Sequence, residues 1–143
     1  MKRRALLIGA GLGLGCSASA TPAEVRLAIY KLTGNAPLRS GQVTVELPAL
    51  VENGNSVPLT VRVASPMTAA DHVKAIHVFV EKNPLPQVAS FMLGPRSGRA
   101  EVSTRIRLAD TQTVQVVCEM SDGSFWSGSA ESVVTAVACT EAP

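Results

Sequence analysis

Aromatic residues are scarce in this 143-residue chain: one Trp, one Tyr and three Phe, 3% of the total. A core of stacked rings is therefore excluded. Val, Ala, Leu, Ser and Thr are left to fill the interior, which favours half-buried strands of β-branched side chains. Charged residues make up 17%, below the usual share of about a quarter. There are only two histidines, His72 and His77, and three cysteines, Cys16, Cys118 and Cys139. A metal centre needs three or four ligands at useful spacing, and two imidazoles five residues apart in a strand fall on opposite faces. Neither a G-x-S-x-G elbow nor a cysteine with a nearby histidine motif occurs, so the nucleophile, base and orienting group of a hydrolase find no support. Ser127, Ser129 and Ser132 read as solvent-side strand residues.

A basic surplus is also missing where it would count. The formal charge is +2, from 13 bases and 11 acids. Lys2, Arg3 and Arg4 precede residue 20, and no acid does, which leaves 10 bases against 11 acids in the rest of the chain. A net-negative body argues against nucleic acid as a partner. No apolar run is long enough to cross a membrane, which takes roughly 20 residues. The run from Ala5 to Gly15 is short and rich in glycine.

That run is instead the middle of an export signal. Lys2-Arg3-Arg4 forms the charged region, residues 5–15 the apolar region, and Ala18-Ser19-Ala20 the cleavage site before Thr21-Pro22. The paired arginines admit the twin-arginine route as well as the general secretory one. Two features here mimic other motifs. Gly9–Gly15 follows no strand and lacks the G-x-G-x-x-G spacing of a nucleotide loop. Cys16 sits like a lipoprotein cysteine, but Gly13 stands where leucine belongs three residues before it.

The chain after residue 20 is short enough for a single domain. Ala23–Leu32 reads as a helix, with Val25, Ala28, Ile29 and Leu32 on one face, Thr21-Pro22 at its start and Gly34-Asn35 at its end. Residues 36–41 read as linker. The period then changes to two. Strands are expected at 43–47, 57–63, 73–81, 88–93, 99–108, 112–120 and 125–137, with turns at Asn53-Gly54 and Asp122-Gly123. The 73–81 strand is apolar on both faces, so it is central or meets a partner chain. Seven short strands at regular spacing give an all-β, immunoglobulin-like antiparallel sandwich. The expected layout is a signal peptide at 1–20, helix and linker at 21–41, sandwich at 42–137 and a tail at 138–143.

Two features remain for chemistry. Arg96, Arg99, Arg105 and Arg107 form a basic cluster. It is either a solvated face paired with Glu101 and Glu119, or a surface for an acidic partner or anionic sulfur species. The cysteines differ by position. Cys118 points inward from a strand and reads as a small core hydrophobe. Cys139 stands four residues from the end, too far along the chain for a disulfide with Cys118 unless the tail folds back. It is the free thiol to watch in an oxidising compartment.

The runs Glu46-Leu47-Pro48, Glu52 to Leu59, Ser65-Pro66-Met67, Glu81 to Pro84, Arg99 to Leu108 and Val117 to Ser124 together resemble the SoxY family. The resemblance covers roughly residues 23–137. It implies a periplasmic sulfur carrier of thiosulfate oxidation with no catalytic turnover of its own and no cofactor beyond covalently bound sulfur. It further implies pairing with a SoxZ-like subunit. Visits follow to a c-type cytochrome complex, a sulfate-releasing hydrolase and a sulfane dehydrogenase. The carrier thiol it implies is Cys139, which stands where the family has Gly-Gly-Cys-Gly-Gly. Here Val137-Ala138 precede the cysteine and Thr140-Glu141 follow it, so the glycine hinges are replaced by residues with narrower φ/ψ choice. Two functions are consistent with that tail: a covalent carrier, or a binding module on the same scaffold that has lost the carrier role.

Overall fold

A computed structural model describes residues 20–135. Residues 1–19 of the signal peptide expected at 1–20, Cys16 among them, and the tail with Cys139 lie outside the described residues.

The first element is helix α1, Pro22–Thr33. Thr21 caps it, its hydroxyl accepting from the Glu24 N–H at 3.2 Å, and Pro22 sits where its missing N–H costs nothing. Gly34 ends it at φ 63°, donating its N–H to the Tyr30 carbonyl. That left-handed turn is one a glycine adopts without strain.

Nine strands follow: β1 (Leu38–Ser40), β2 (Val43–Glu46), β3 (Leu50–Val51), β4 (Val57–Val63), β5 (Val73–Val80), β6 (Gln87–Met92), β7 (Glu101–Ile106), β8 (Gln112–Met120) and β9 (Phe125–Val134). All seven strands expected from the period of two are present. The additional two are short and arise from residues that carry no alternation. β1 occupies part of the expected linker and pairs parallel to β9, Leu38 opposite Phe125. β3 also runs parallel to β9, Leu50 opposite Val133. Pairing of that kind joins segments about ninety residues apart and leaves no local trace in either.

The strands form a sandwich. One sheet runs β1-β9-β8-β5-β6, with β3 added on β9, and the other runs β2-β4-β7. Between them lies the main core. β4 contributes Val57, Leu59, Val61 and Val63, all buried, while Pro58 and Arg62 face out. β5 contributes Ile76, Val78 and Val80; β8 contributes Val114, Val116, Cys118 and Met120. At Gly128 of β9 the two sheets come close together: a Cβ there would lie 2.7 Å from the Val43 carbonyl oxygen.

The two-faced apolar strand β5 is interior to its sheet, between β8 and β6. On its outer side, Val25 and Ile29 of α1 pack with Phe79, Val117 and Phe125 in a second, smaller core. The chain's own helix thus covers the Phe79 end of a face whose apolarity also suited a partner. Ser132 departs from expectation as well. It is fully buried and donates to the Pro48 carbonyl at 2.7 Å. The period of two explains it: Ser127 and Ser129 share one face of β9, and residue 132 has the opposite parity.

Candidate functional site

Cys118 is the one cysteine among the described residues. It lies on the inner face of β8, opposite Ile76 of β5 and Trp126 of β9, with no exposed surface. Burial pushes its thiol up to about 12. A thiol held protonated in an apolar core is neither a nucleophile nor a ligand near neutral pH. Its role is packing, as its inward position led us to expect.

Cys139 lies outside the described residues, but the root of its tail is well placed. The Thr135 N–H donates to the Val51 carbonyl at 2.9 Å, and the Val134 N–H donates to Thr111 Oγ1 at 2.9 Å. Four residues beyond Thr135, the Cys139 Cα stays within about 14 Å of it, at up to 3.6 Å per residue. Cys118 faces Trp126, eight residues before Val134 on the same strand. That separation is roughly 26 Å at 3.3 Å per residue. The tail is too short to bring the two sulfurs together.

The two histidines do not share a site. His72 precedes β5, its Nδ1 3.0 Å from the Thr68 carbonyl. His77 lies within β5, buried, with Nδ1 2.9 Å from Ser90 Oγ and 3.2 Å from Gln87 Nε2. His77 Nε2 is buried without a hydrogen-bond partner. Burial lowers the imidazole's pKa below the usual 6.5, partly opposed by the charge of Glu119. No group of three or more His, Cys, Asp or Glu side chains among the described residues is placed to hold a metal ion.

The basic cluster is only partly where the alternation put it. Arg105 and Arg107 flank buried Ile106 at the outward face of β7, while Arg96 and Arg99 lie in the turn that joins β6 to β7. Glu101 and Glu119 each lie beside another base as well. Glu101 Oε1 lies 3.4 Å from Arg62 Nε, and Arg62 also pairs with Glu46. Glu119 lies 3.8 Å from Lys74 Nζ. Arg105 Nη1 donates to Ser56 Oγ at 3.3 Å.

Beside these arginines a cleft of about 620 Å³ runs between β6 and β7. Val88, Ala89, Phe91 and Ile106 line it, with Leu85, Arg105 and Arg107 also at its walls. A buried clamp braces one end. Asn83 Nδ2 donates to the Arg107 carbonyl at 2.6 Å. Asn83 Oδ1 accepts from the Ala109 N–H and from Gln112 Nε2, each at 2.9 Å. The sequence marks Asn83-Pro84 only as the end of a strand. That a side chain there ties three segments together depends on neighbours 24–29 residues away.

The family model described as "Sulfur oxidation protein SoxY" matches residues 29–139. A solved structure of the sulfur carrier protein SoxY from Chlorobium limicola f thiosulfatophilum is 30% identical. The match covers 80% of this chain and 98% of that one, with a TM-score of 0.66. Superoxide reductases share the fold at lower identity. The neelaredoxin from Ignicoccus hospitalis is 16% identical, with a TM-score of 0.58 over 80% of this chain and 94% of that one. The enzyme from Nanoarchaeum equitans is 10% identical, with a TM-score of 0.55 over 66% and 99%. No curated protein matches the sequence.

Proposed function

The chain belongs to the SoxY family of sulfur oxidation proteins, and from that premise we propose that it is a periplasmic carrier that holds sulfur covalently on Cys139 while paired with a SoxZ-like subunit. The observation that carries this reading is where the family match stops: it runs to residue 139, the cysteine itself. The other cysteine after the export segment, Cys118, is sealed in the core with its thiol pushed up to about 12. A thiol that must meet several enzymes therefore has one candidate.

The chemistry asked of Cys139 is that of a thiolate. Its sulfur bonds to the outer sulfur of thiosulfate, giving a protein-bound S–S–SO₃⁻ group. Two electrons leave to a c-type cytochrome partner and the thiol proton goes to water. Hydrolysis by a second partner adds water at the sulfonate, releases sulfate and two protons, and leaves a persulfide on Cys139. A dehydrogenase partner oxidises that remaining sulfur. The carrier contributes the thiol and surfaces for docking; the turnover belongs to its partners. No cofactor is required of the chain itself.

Intact-mass spectrometry of the exported protein from cells grown on thiosulfate tests the reading. The expected result is a mass increment of sulfur or thiosulfate that maps to Cys139 and vanishes in Cys139→Ala. A second reading is favoured by the tail. Val137-Ala138 and Thr140-Glu141 replace residues with wide φ/ψ freedom, and Glu141 disfavours a nearby thiolate. On that reading the chain is a binding module of the same fold. An unmodified Cys139 in thiosulfate-grown cells, with SoxZ-like pairing retained, is the result that selects it.

A further inference from the structure

The two sheets of the sandwich differ in width, and the mismatch lies at one edge. β6 ends the larger sheet and β7 ends the smaller one, each with a single strand neighbour among the described residues. The residues of β5 that face the main core, Ile76, Val78 and Val80, are fully buried. Those of β6, Val88, Ala89 and Phe91, pack on the same core but are only half-buried. The three-stranded sheet stops one strand short of covering them. The resulting cleft is the one of about 620 Å³ described above. Its wall on the β7 side is, among the described residues, the open edge of the smaller sheet, and such an edge is a template for another strand.

Charge is distributed unevenly around this edge. Residues 82–107 hold five bases (Lys82, Arg96, Arg99, Arg105 and Arg107) against one acid, Glu101. The remaining residues from 21 onward hold five bases against ten acids. A net −1 body is thus a +4 edge on a −5 remainder, and Glu101 is already engaged with Arg62. Such a polarised surface steers oppositely charged partners and discriminates against basic ones.

We propose that the edge of β7 is a docking site for an extended, acidic segment of a partner protein, which adds as a fourth strand to the β2-β4-β7 sheet. In that pose side chains alternate. One set places carboxylates beside Arg105 and Arg107, as opposite charges pair across neighbouring strands. The other set points inward over Val88, Ala89 and Phe91 and completes the cover of β6. The segment is therefore one in which glutamate or aspartate alternates with valine, threonine or a similar residue. This site does not depend on the thiol and stands apart from the carrier reading.

The test uses the exported chain, residues 21–143, and a fluorescent octapeptide of alternating glutamate and valine, read by anisotropy. A basic peptide of equal length is the control. The expected result is saturable binding of the acidic peptide only, weakening with salt, with amide shifts confined to β6 and β7. The charge reversal R105E/R107E is expected to weaken it about tenfold or more. Leu85→Asp, at an exposed wall residue that folding does not need, is expected to weaken it without changing the thermal midpoint. Equal binding by R105E/R107E, or equal binding of the basic peptide, overturns the proposal. So does displacement by sodium thiosulfate beyond that by sodium chloride at matched ionic strength, which would mark a small-anion site. Binding that appears only after residues 136–143 are removed assigns the cleft to the chain's own tail instead, and self-association blocked by R105E/R107E assigns it to a second copy; either result overturns a partner segment.

Discussion

Gly128 lies directly against Val43, so that a Cβ at position 128 would come 2.7 Å from the Val43 carbonyl oxygen and 3.1 Å from its Cβ. The obstacle is backbone on the facing sheet, which cannot swing aside as a side-chain tip does. Gly128→Ala must push β2 away from β9, and overpacking of this kind costs about 1–3 kcal/mol. Urea denaturation of the exported chain should show a lower midpoint with an unchanged m-value. Gly94→Ala, where nothing lies within 4 Å, should leave the midpoint nearly unmoved.

His77 makes stability depend on pH. Its pKa is lowered in the folded protein, chiefly by burial. The unfolded chain, with an ordinary histidine near 6.5, therefore takes up the proton first as pH falls. The contribution is fully present above about pH 6.5 and is lost as pH falls from there through the lower native value. The urea midpoint should drop between pH 6.5 and 5 in the wild-type protein. His77→Gln keeps a polar group beside Ser90 but does not titrate, and it should flatten that drop. An identical slope in the variant would falsify the assignment to His77.

Cys118 should be silent toward thiol reagents in the native state. With the thiol fully buried and pushed up to about 12, neither access nor thiolate is available at neutral pH. In Cys139→Ala protein lacking the export segment, iodoacetamide at pH 8 should label nothing until urea is added, and then one site. Labelling at the native rate of a free thiol would show that β8 opens locally.

Asn83 holds a junction together rather than merely ending a strand. Its side chain donates to the part-buried Arg107 carbonyl and accepts from the Ala109 N–H and Gln112 Nε2 in two buried bonds. Asn83→Ala leaves those groups without their partner, at about 2–3 kcal/mol. Asn83→Asp retains the acceptor and loses the donor, and should fall between the two in thermal midpoint.

Much of the sandwich was legible in the residues. Val57 to Val63 alternates cleanly, and its burial alternates with it. Asp122-Gly123 reads as a hairpin turn, and Gly123 takes φ 83° there. Thr21, Pro22 and Gly34 bound α1 by local backbone chemistry alone. β1 and β3 were not legible. Each is a two- or three-residue segment stabilised by parallel pairing to a strand far away in sequence. Ser132 is buried where a solvent-side residue was expected, because its parity on β9 is opposite to that of Ser127 and Ser129.

The candidate site divides the same way. Cys139 was singled out by position, and Cys118 by its inward parity. Glu101 lies beside Arg62 and Glu119 beside Lys74, contacts made across strands that the sequence pattern did not show.

By itself the sequence determined the period-two strands and their turns, the capped helix and the family. All of these rest on neighbours a few residues apart, where period, caps and turn residues act. The tertiary structure alone decided that α1 covers Phe79, that Gly128 meets Val43 and that β6 and β7 end their sheets side by side among the described residues. Those depend on which strands lie side by side and how wide each sheet is. Such relations join residues tens of positions apart, and no local pattern encodes them.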